Sequence, residues 1–201
     1  MALCGVVFDI GNVIVRWDPR TLYSKIFPDP AERDWFLANV CTMPWHSRHD
    51  AGVPFAENRA PLIARYPEHE AAIVAWEERW WEMFSGAIPE TEAAIEALAA
   101  QGAPMVGLTN MPSSTAAGTF AMSPAFKRFE HIVVSSDVGL AKPDPRIFEL
   151  AAREAGLPPN ELLFVDDSRT NIDAAAACGF AVHHFVDPAG LQPDLAARGL
   201  L

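Results

Sequence analysis

Positive charge is scarce in this chain. Over 201 residues, 15 lysines and arginines face 26 aspartates and glutamates, a net charge of -11. Nucleic acid and anionic membrane surfaces attract positive charge, so neither is expected as a partner. An anionic small molecule would have to find a local positive site against the field of the whole protein. Cysteine is scarce as well. Cys4, Cys41 and Cys178 are odd in number and lack metal-type spacing. They read as reduced thiols of a cytoplasmic protein rather than a disulfide framework. Uninterrupted apolar runs of about 18 residues are missing, so no membrane span is expected. The N-terminus enters a strand without a basic stretch, so no secretory signal is expected either. There are no repeats and no low-complexity tails.

Half of the residues are apolar, enough to bury a sizeable core. The length suits one core domain with a small insertion. The stretch Val6-Val7-Phe8-Asp9-Ile10-Gly11-Asn12 organises the rest. A short apolar run rich in β-branched and aromatic residues reads as a buried strand. It ends in an aspartate where Gly-Asn turns the chain, which puts a carboxylate on the rim of a sheet. A second short run, Val13 to Val15, fits a tight excursion over the sheet end. Residues 18–87 differ in character: they are dense in Trp, His and Pro and read as helices. Helices are expected over Arg20–Ile26, Pro30–Val40, Pro54–Tyr66 and Glu68–Phe84. The last of these spaces Ile73, Trp76, Trp80, Trp81 and Phe84 for one broad apolar face. That face suits packing between helices, a contact with the core or a dimer contact.

From Ile88 the chain alternates strand and helix. Strands are expected at Met105–Leu108, Ile132–Val134, Leu162–Val165 and Phe180–Val186. Helices are expected at Thr91–Ala100, Pro145–Ala155 and Thr170–Cys178. Asp144 is a natural N-cap for the second, with Pro145 in its first turn and Gly156 past its end. Such alternation implies parallel strands with right-handed crossovers. The fold class is therefore α/β: a doubly wound, Rossmann-like parallel-sheet core, residues 1–17 and 88–201, with an all-helical insertion, residues 18–87.

Each core strand ends in polar residues of one kind. The ends are Asp9, then Thr109-Asn110, then Ser135-Ser136-Asp137 leading to Lys142-Pro143, then Asp166-Asp167. Any one of these alone reads as an ordinary turn, loop or cap. Parallel strands bring all of them to one rim, where open α/β sheets bind ligands. Clustered carboxylates repel unless a cation holds them, and small all-oxygen sites suit Mg²⁺. A hydroxyl, backbone N–H groups and a lysine are what a phosphate oxygen needs. An aspartate beside them is placed to act as a nucleophile.

The segments Phe8-Asp9-Ile10-Gly11-Asn12-Val13, Leu108-Thr109-Asn110, Lys142-Pro143-Asp144-Pro145-Arg146-Ile147-Phe148 and Phe164-Val165-Asp166-Asp167-Ser168-Arg169-Thr170-Asn171 resemble, in this order, the four motifs of the haloacid dehalogenase-like hydrolase superfamily. The helical insertion resembles that family's type 1 cap. The resemblance implies that Asp9 is the nucleophile and that Thr109 and the Asn110 amide hold phosphate. It implies that Lys142 steadies Asp9 and the phosphoryl oxygens. Asp9, the Gly11 carbonyl, Asp166 and Asp167 would bind Mg²⁺, with Asn171 behind them. A phosphorylated small molecule is the implied substrate, a sugar phosphate being favoured, and the protein would be a monomer or homodimer.

One position departs from the pattern. Most phosphatases of the superfamily carry a second aspartate two residues after the nucleophile, as general acid and base. This chain has Gly11 there. General acid-base help is worth about 10²–10⁴-fold. The Asp-x-Gly-Asn-Val form resembles a subgroup that includes a bacterial α-D-glucose-1-phosphate phosphatase, so the glycine does not imply inactivity. Either the leaving group needs little protonation, or the cap supplies the acid. Trp45-His46-Ser47-Arg48-His49 is rich in suitable groups: His46 or His49 as proton donor and Arg48 for an anionic substrate group. Alternatively these are surface residues. Two other activities fit the same residues: a haloacid dehalogenase using the same Asp9 nucleophile, and a non-catalytic binding protein that kept the fold without the acid.

Overall fold

A computed structural model describes residues 2–201. The buried strand β1 (Gly5–Phe8) leads into the turn at Gly11-Asn12 and then β2 (Val15–Trp17). Asn12 takes the left-handed conformation that turn needs, φ 57°, a region Asn tolerates better than most residues. Five helices follow: α1 (Pro19–Ile26), α2 (Pro30–Asn39), α3 (Met43–Asp50), α4 (Phe55–Arg65) and α5 (Glu70–Glu78). A 3₁₀ turn over Trp80–Met83 and strand β3 (Phe84–Ala87) bring the chain back, with β3 antiparallel to β2.

The rest alternates as β4 (Met105–Thr109), β5 (His131–Val134), β6 (Leu162–Asp166) and β7 (Ala181–His184) with helices α6 (Pro89–Ala100), α7 (Ser113–Phe120), α8 (Ser135–Val138), α9 (Pro145–Ala155), α10 (Arg169–Ala177) and α11 (Leu191–Ala197). The main sheet is five-stranded in the order β5-β4-β1-β6-β7, and every pairing in it is parallel. Central strands buried on both faces read as continuous apolar runs, and β1 shows why. Val6 and Phe8 pack with Ile95, Leu98 and Leu195 on one face, whereas Val7 packs with Ile147, Phe148 and Ile172 on the other. The α/β core expected from the alternation is therefore the observed one, with helices covering both faces of the sheet.

The helical insertion has its own apolar cluster, built on Leu22, Tyr23, Phe36, Ile73, Trp76, Trp80 and Met83. Three expectations for it need correction. The helix over Glu68–Phe84 is broken: α5 stops at Glu78, and Arg79 (φ -120°, ψ 25°) turns the chain into the 3₁₀ segment. Its broad apolar face therefore splits, with Trp76 and Trp80 buried and Trp81 46% exposed. Phe84 begins a strand instead of ending a helix. The third concerns Trp45–His49, which has no place in the expected helices but lies in α3. Thr42 caps α3 by accepting from the Trp45 N–H, and Pro44 sits in its first turn. In the core, α7, α8 and α11 lie outside the expected helices. Among the described residues no helix is long and apolar enough to cross a membrane.

Candidate active site

The rim residues converge as parallel topology requires. Asp9 follows β1, Thr109 ends β4 and Asp166 ends β6; all three are buried. Lys142 enters from the loop before α9, and its ammonium is the hub. It donates to Asp9 Oδ1 at 2.7 Å, to Asp166 Oδ2 at 2.8 Å and to the Leu108 carbonyl at 2.9 Å. All three of its protons are used, so the side chain is fixed. Its backbone is fixed too. The Asn110 carboxamide donates to the Lys142 carbonyl and accepts from the Lys142 N–H, at 2.9 and 2.8 Å. Asn110 thus spends its side chain on holding the lysine loop.

Asp166 is held from the opposite side. Its Oδ1 accepts from the Ser168 N–H at 2.7 Å, and Asn171 Nδ2 reaches both of its oxygens. Asp167 stands at the start of the following loop, where the nearby Asn12 side chain works against the rise of its pKa. Asn12 receives the Trp17 N–H on Oδ1 at 3.0 Å, so its side chain ties the β1 turn to the β2 strand. The sequence reading gave Asn12 no role.

Ligand oxygens of Asp9, Asp166 and Asp167 lie within 4.8 Å of one another. Three carboxylates there face one ammonium. Burial works against the Lys142 charge, but Asp9 and Asp166 outweigh it and hold its pKa above the usual lysine value. Burial pushes Asp9 up, with Lys142 pulling it back and Asp166 adding to the rise. Asp167 is raised by burial and by Asp166. Surplus negative charge in an all-oxygen set of this size fits a small divalent cation.

Above this set opens a cleft of about 190 Å³. On the sheet side it is lined by Asp9, Gly11, Thr109, Asn110, Lys142 and Asp167, and on the far side by Trp17, Met43, His46, Asp50, Trp80 and Phe84. The three candidates in Trp45–His49 therefore part company. His46 reaches the cleft. Arg48 is exposed and does not line it. His49 is buried away from it, its Nδ1 3.1 Å from the Val53 carbonyl and its Nε2 3.1 Å from Asn58 Nδ2. Arg48, two residues after His46, falls on another face of α3; His49, three residues on, stays beside His46 with ring centroids 6.0 Å apart, but its nitrogens are taken up by Val53 and Asn58 inside the insertion. His46 packs among Trp17, Trp76 and Trp80, at ring distances of 5.2–5.5 Å. Burial pushes its pKa down to about 3, so it is neutral at physiological pH rather than a ready cationic acid.

Sequence reasoning missed Asp50, one helical turn after His46. Its Oδ1 lies 3.4 Å from His46 Nε2. Asp50 Oδ1 and His46 Nδ1 are both sealed from solvent without a hydrogen-bond partner. Burial raises the Asp50 carboxyl to about 7 against the opposing charge of Lys142. The i, i+4 spacing was legible; the helix that gives it meaning was not expected.

A family model described as a haloacid dehalogenase-like hydrolase matches residues 5–179. The chain belongs to the haloacid dehalogenase-like hydrolases. It is thus an enzyme of the hydrolase class. A phosphoglycolate phosphatase of Yersinia pseudotuberculosis is 32% identical over 188 residues, covering 89% of this chain and 78% of that protein. Two solved structures share the fold. One is a HAD family hydrolase from Deinococcus radiodurans with bound phosphate and sodium: TM-score 0.70, 20% identity, 100% of this chain and 98% of that one. The other is a HAD family enzyme from Bacteroides thetaiotaomicron in complex with magnesium and inorganic phosphate: TM-score 0.67, 19% identity, 90% and 93% coverage.

Proposed function

We propose that this hydrolase is a Mg²⁺-dependent phosphatase of a small phosphate monoester whose leaving group is neutral and hydroxyl-bearing, a sugar phosphate being the favoured class. Residues 18–87 serve as the cap that closes over the substrate, and the reaction passes through an aspartyl-phosphate on Asp9. The observation that carries the reading is the contrast within the cleft: a carboxylate-ammonium cluster at its floor and an uncharged aromatic wall above.

Asp9 is the nucleophile because its carboxylate is held on one oxygen by Lys142 and meets the cleft. Lys142 stabilises negative charge on the transferring group, where most of the catalysis of phosphoryl transfer lies. Thr109 offers a buried hydroxyl to a phosphoryl oxygen. Asp9, Asp166, Asp167 and the Gly11 carbonyl are the groups that would hold Mg²⁺, which when bound supplies further charge stabilisation and orientation. The cap wall excludes water and sets the leaving group. Aromatic faces there suit the C–H surface of a sugar ring.

Among the described residues lining the cleft, Lys142 is the lone permanent cation, and two carboxylates already occupy it. The carboxylate of phosphoglycolate would find no partner on the cap wall, and neither would that of a haloacid. An unpaired buried charge is heavily disfavoured. The cleft therefore supports a different leaving group from that of the Yersinia relative.

The test is phosphate release from sugar phosphates, nucleotides, acyl phosphates and phosphoglycolate, with and without Mg²⁺, for the wild type and Asp9→Asn. Metal-dependent release from sugar phosphates that disappears in the variant is expected. A preference for phosphoglycolate would overturn the neutral-leaving-group reading. Halide release from haloacids without Mg²⁺ would overturn the phosphatase reading itself.

A further inference from the structure

We propose that Asp50 is the proton donor to the leaving oxygen, doing from the cap what Gly11 cannot do from the core, with His46 as its positioning residue. This rests on the phosphatase reading above. The side chains of the cleft floor are committed. Asp9, Thr109 and Lys142 serve the phosphoryl group, and Asp167 and Asn171 the metal set. Asn110 is spent on the lysine loop. Among the described residues that remain in the lining, His46 and Asp50 carry titratable protons.

The geometry singles out Asp50 of the two. A carboxylate needs donors, and Asp50 has none from the protein: Oδ1 is sealed and unpartnered, with only His46 Nε2 nearby at 3.4 Å. Its second oxygen is not sealed, and the side chain, 9% exposed, lines the cleft. A buried carboxyl without donors keeps its proton. The charged and titratable groups that bear on the pair are Lys142, whose charge acts on Asp50, and His49 behind His46. Asp50 is also placed rigidly although it comes from the insertion. Its carbonyl accepts the buried Ser135 hydroxyl at 2.6 Å, and the Met111 N–H donates to that same Ser135 oxygen at 3.0 Å. The ends of β4 and β5 therefore fix the end of α3. His46, wedged among three indoles, keeps the carboxyl facing the cleft.

The step balances as follows. Asp9 attacks phosphorus and the bond to the leaving oxygen breaks; the Asp50 proton passes to that oxygen. The Asp50 carboxylate so formed then takes a proton from the water that attacks the aspartyl-phosphate. The bond from phosphorus to Asp9 breaks, phosphate leaves, and both carboxyls return to their starting states.

The test compares leaving groups. A sugar phosphate needs a proton on its departing alkoxide; p-nitrophenyl phosphate does not. For Asp50→Asn, turnover of the sugar phosphate is expected to fall about 10²–10⁴-fold. The first-turnover burst of nitrophenolate should stay within about tenfold of wild type, followed by slow steady-state release, since water then lacks its base. Gly11 gives a second, independent variant. A Cβ there meets nothing within 4 Å, so Gly11→Asp in the Asp50→Asn background places an acid on the opposite wall and should recover at least about tenfold on the sugar phosphate. Equal losses of burst and sugar-phosphate turnover, without recovery in the double variant, would overturn the proposal, as would an unaffected Asp50→Asn. In either case a wild type that is active and an Asp9→Asn that is dead leave the phosphatase reading standing. A wild type inert on every phosphate would instead remove the phosphatase reading.

Discussion

On the sheet side of the cleft, Lys142 Nζ donates three hydrogen bonds, Asp166 accepts on both oxygens, and the Asn110 carboxamide closes a reciprocal pair with the Lys142 backbone. On the cap side, Asp50 Oδ1, His46 Nδ1 and the indole nitrogens of Trp17, Trp76 and Trp80 are buried with no partner. Leaving a polar atom buried and unpaired costs about 1–3 kcal/mol, and such exceptions ask for an explanation. The contrast separates two tasks. On the proposed reading the sheet side handles a charge pattern shared by every phosphate ester, and its own hydrogen bonds already hold it in place. The cap side, on the same reading, meets the part of the substrate that varies, and of these residues Trp17, His46, Asp50 and Trp80 line the cleft.

If the sheet side is a preassembled ionic unit, removing its hub should do the greatest damage. Lys142→Met leaves Asp9 and Asp166 facing each other without the ammonium. Breaking one partner out of a buried ion pair costs about 3–5 kcal/mol. Urea unfolding in a chelator should show a loss of that size, and Mg²⁺ should recover more stability for the variant than it adds to wild type, since it supplies the missing positive charge. Phosphate release should be lost in both buffers. A variant as stable as wild type in chelator would mean that the carboxylates do not depend on Lys142, and the preassembled unit would be wrong.

The cap side should respond in the opposite sense, with replacement of its acid giving stability. Asp50 has a folded pKa of about 7 against an ordinary 3.8. The folded state keeps a proton that the unfolded chain releases as pH rises from about 4 to about 7. Asp50 therefore costs nothing below that window and its full penalty above it. His46, lowered from 6.5 to about 3, works the other way: it favours folding above pH 6.5 and its contribution is lost as pH falls toward 3. Asp50→Asn should match wild type near pH 4 and be about 2–4 kcal/mol more stable at pH 8, as read by denaturant titration at the two pH values. A variant less stable at pH 8 would show that Asp50 is ionised and held.

The same divide governs what could be read from the chain. The sheet side was legible because its carboxylates and Thr109 sit at the ends of apolar runs, with Lys142 in the loop that precedes α9. Once β1, β4 and β6 are seen as parallel strands, Asp9, Thr109 and Asp166 must share a rim. The cap side depends on a helix of eight residues, Met43–Asp50, whose interior is polar and shows no apolar stripe. Its start was written in Thr42 and Pro44, an N-cap and a first-turn proline. Read without that helix, His46, Arg48 and His49 look equivalent. On the helix, His46 and Asp50 share a face, Arg48 turns away, and His49 sits beside His46 with its nitrogens bonded to Val53 and Asn58 inside the insertion. The break at Arg79 was hidden for a related reason: Trp80 and Trp81 continue the apolar spacing of α5 in sequence although the backbone has left it.

The smallest effect expected tests why the cap wall carries no positive charge. Met43 lines the cleft and is 49% exposed, so a longer polar side chain fits there without disturbing the apolar cluster of the insertion. Met43→Arg would bring a guanidinium to the wall opposite Lys142, where it can pair with a substrate carboxylate while keeping contact with solvent. A charge-assisted pair of this kind is worth about 1.5–3 kcal/mol when well formed and less at an exposed position. A gain of about tenfold in kcat/KM for phosphoglycolate, roughly 1.4 kcal/mol, with little change for a neutral sugar phosphate, is the expected outcome. Such a shift would identify the missing cation as what separates this cleft from one that accepts an acidic leaving group. Loss on both substrates would mean that Met43 shapes the wall through packing. Wild-type activity on phosphoglycolate equal to that on sugar phosphates would mean that the wall does not choose between them, and the division of labour between the two sides would have to be redrawn.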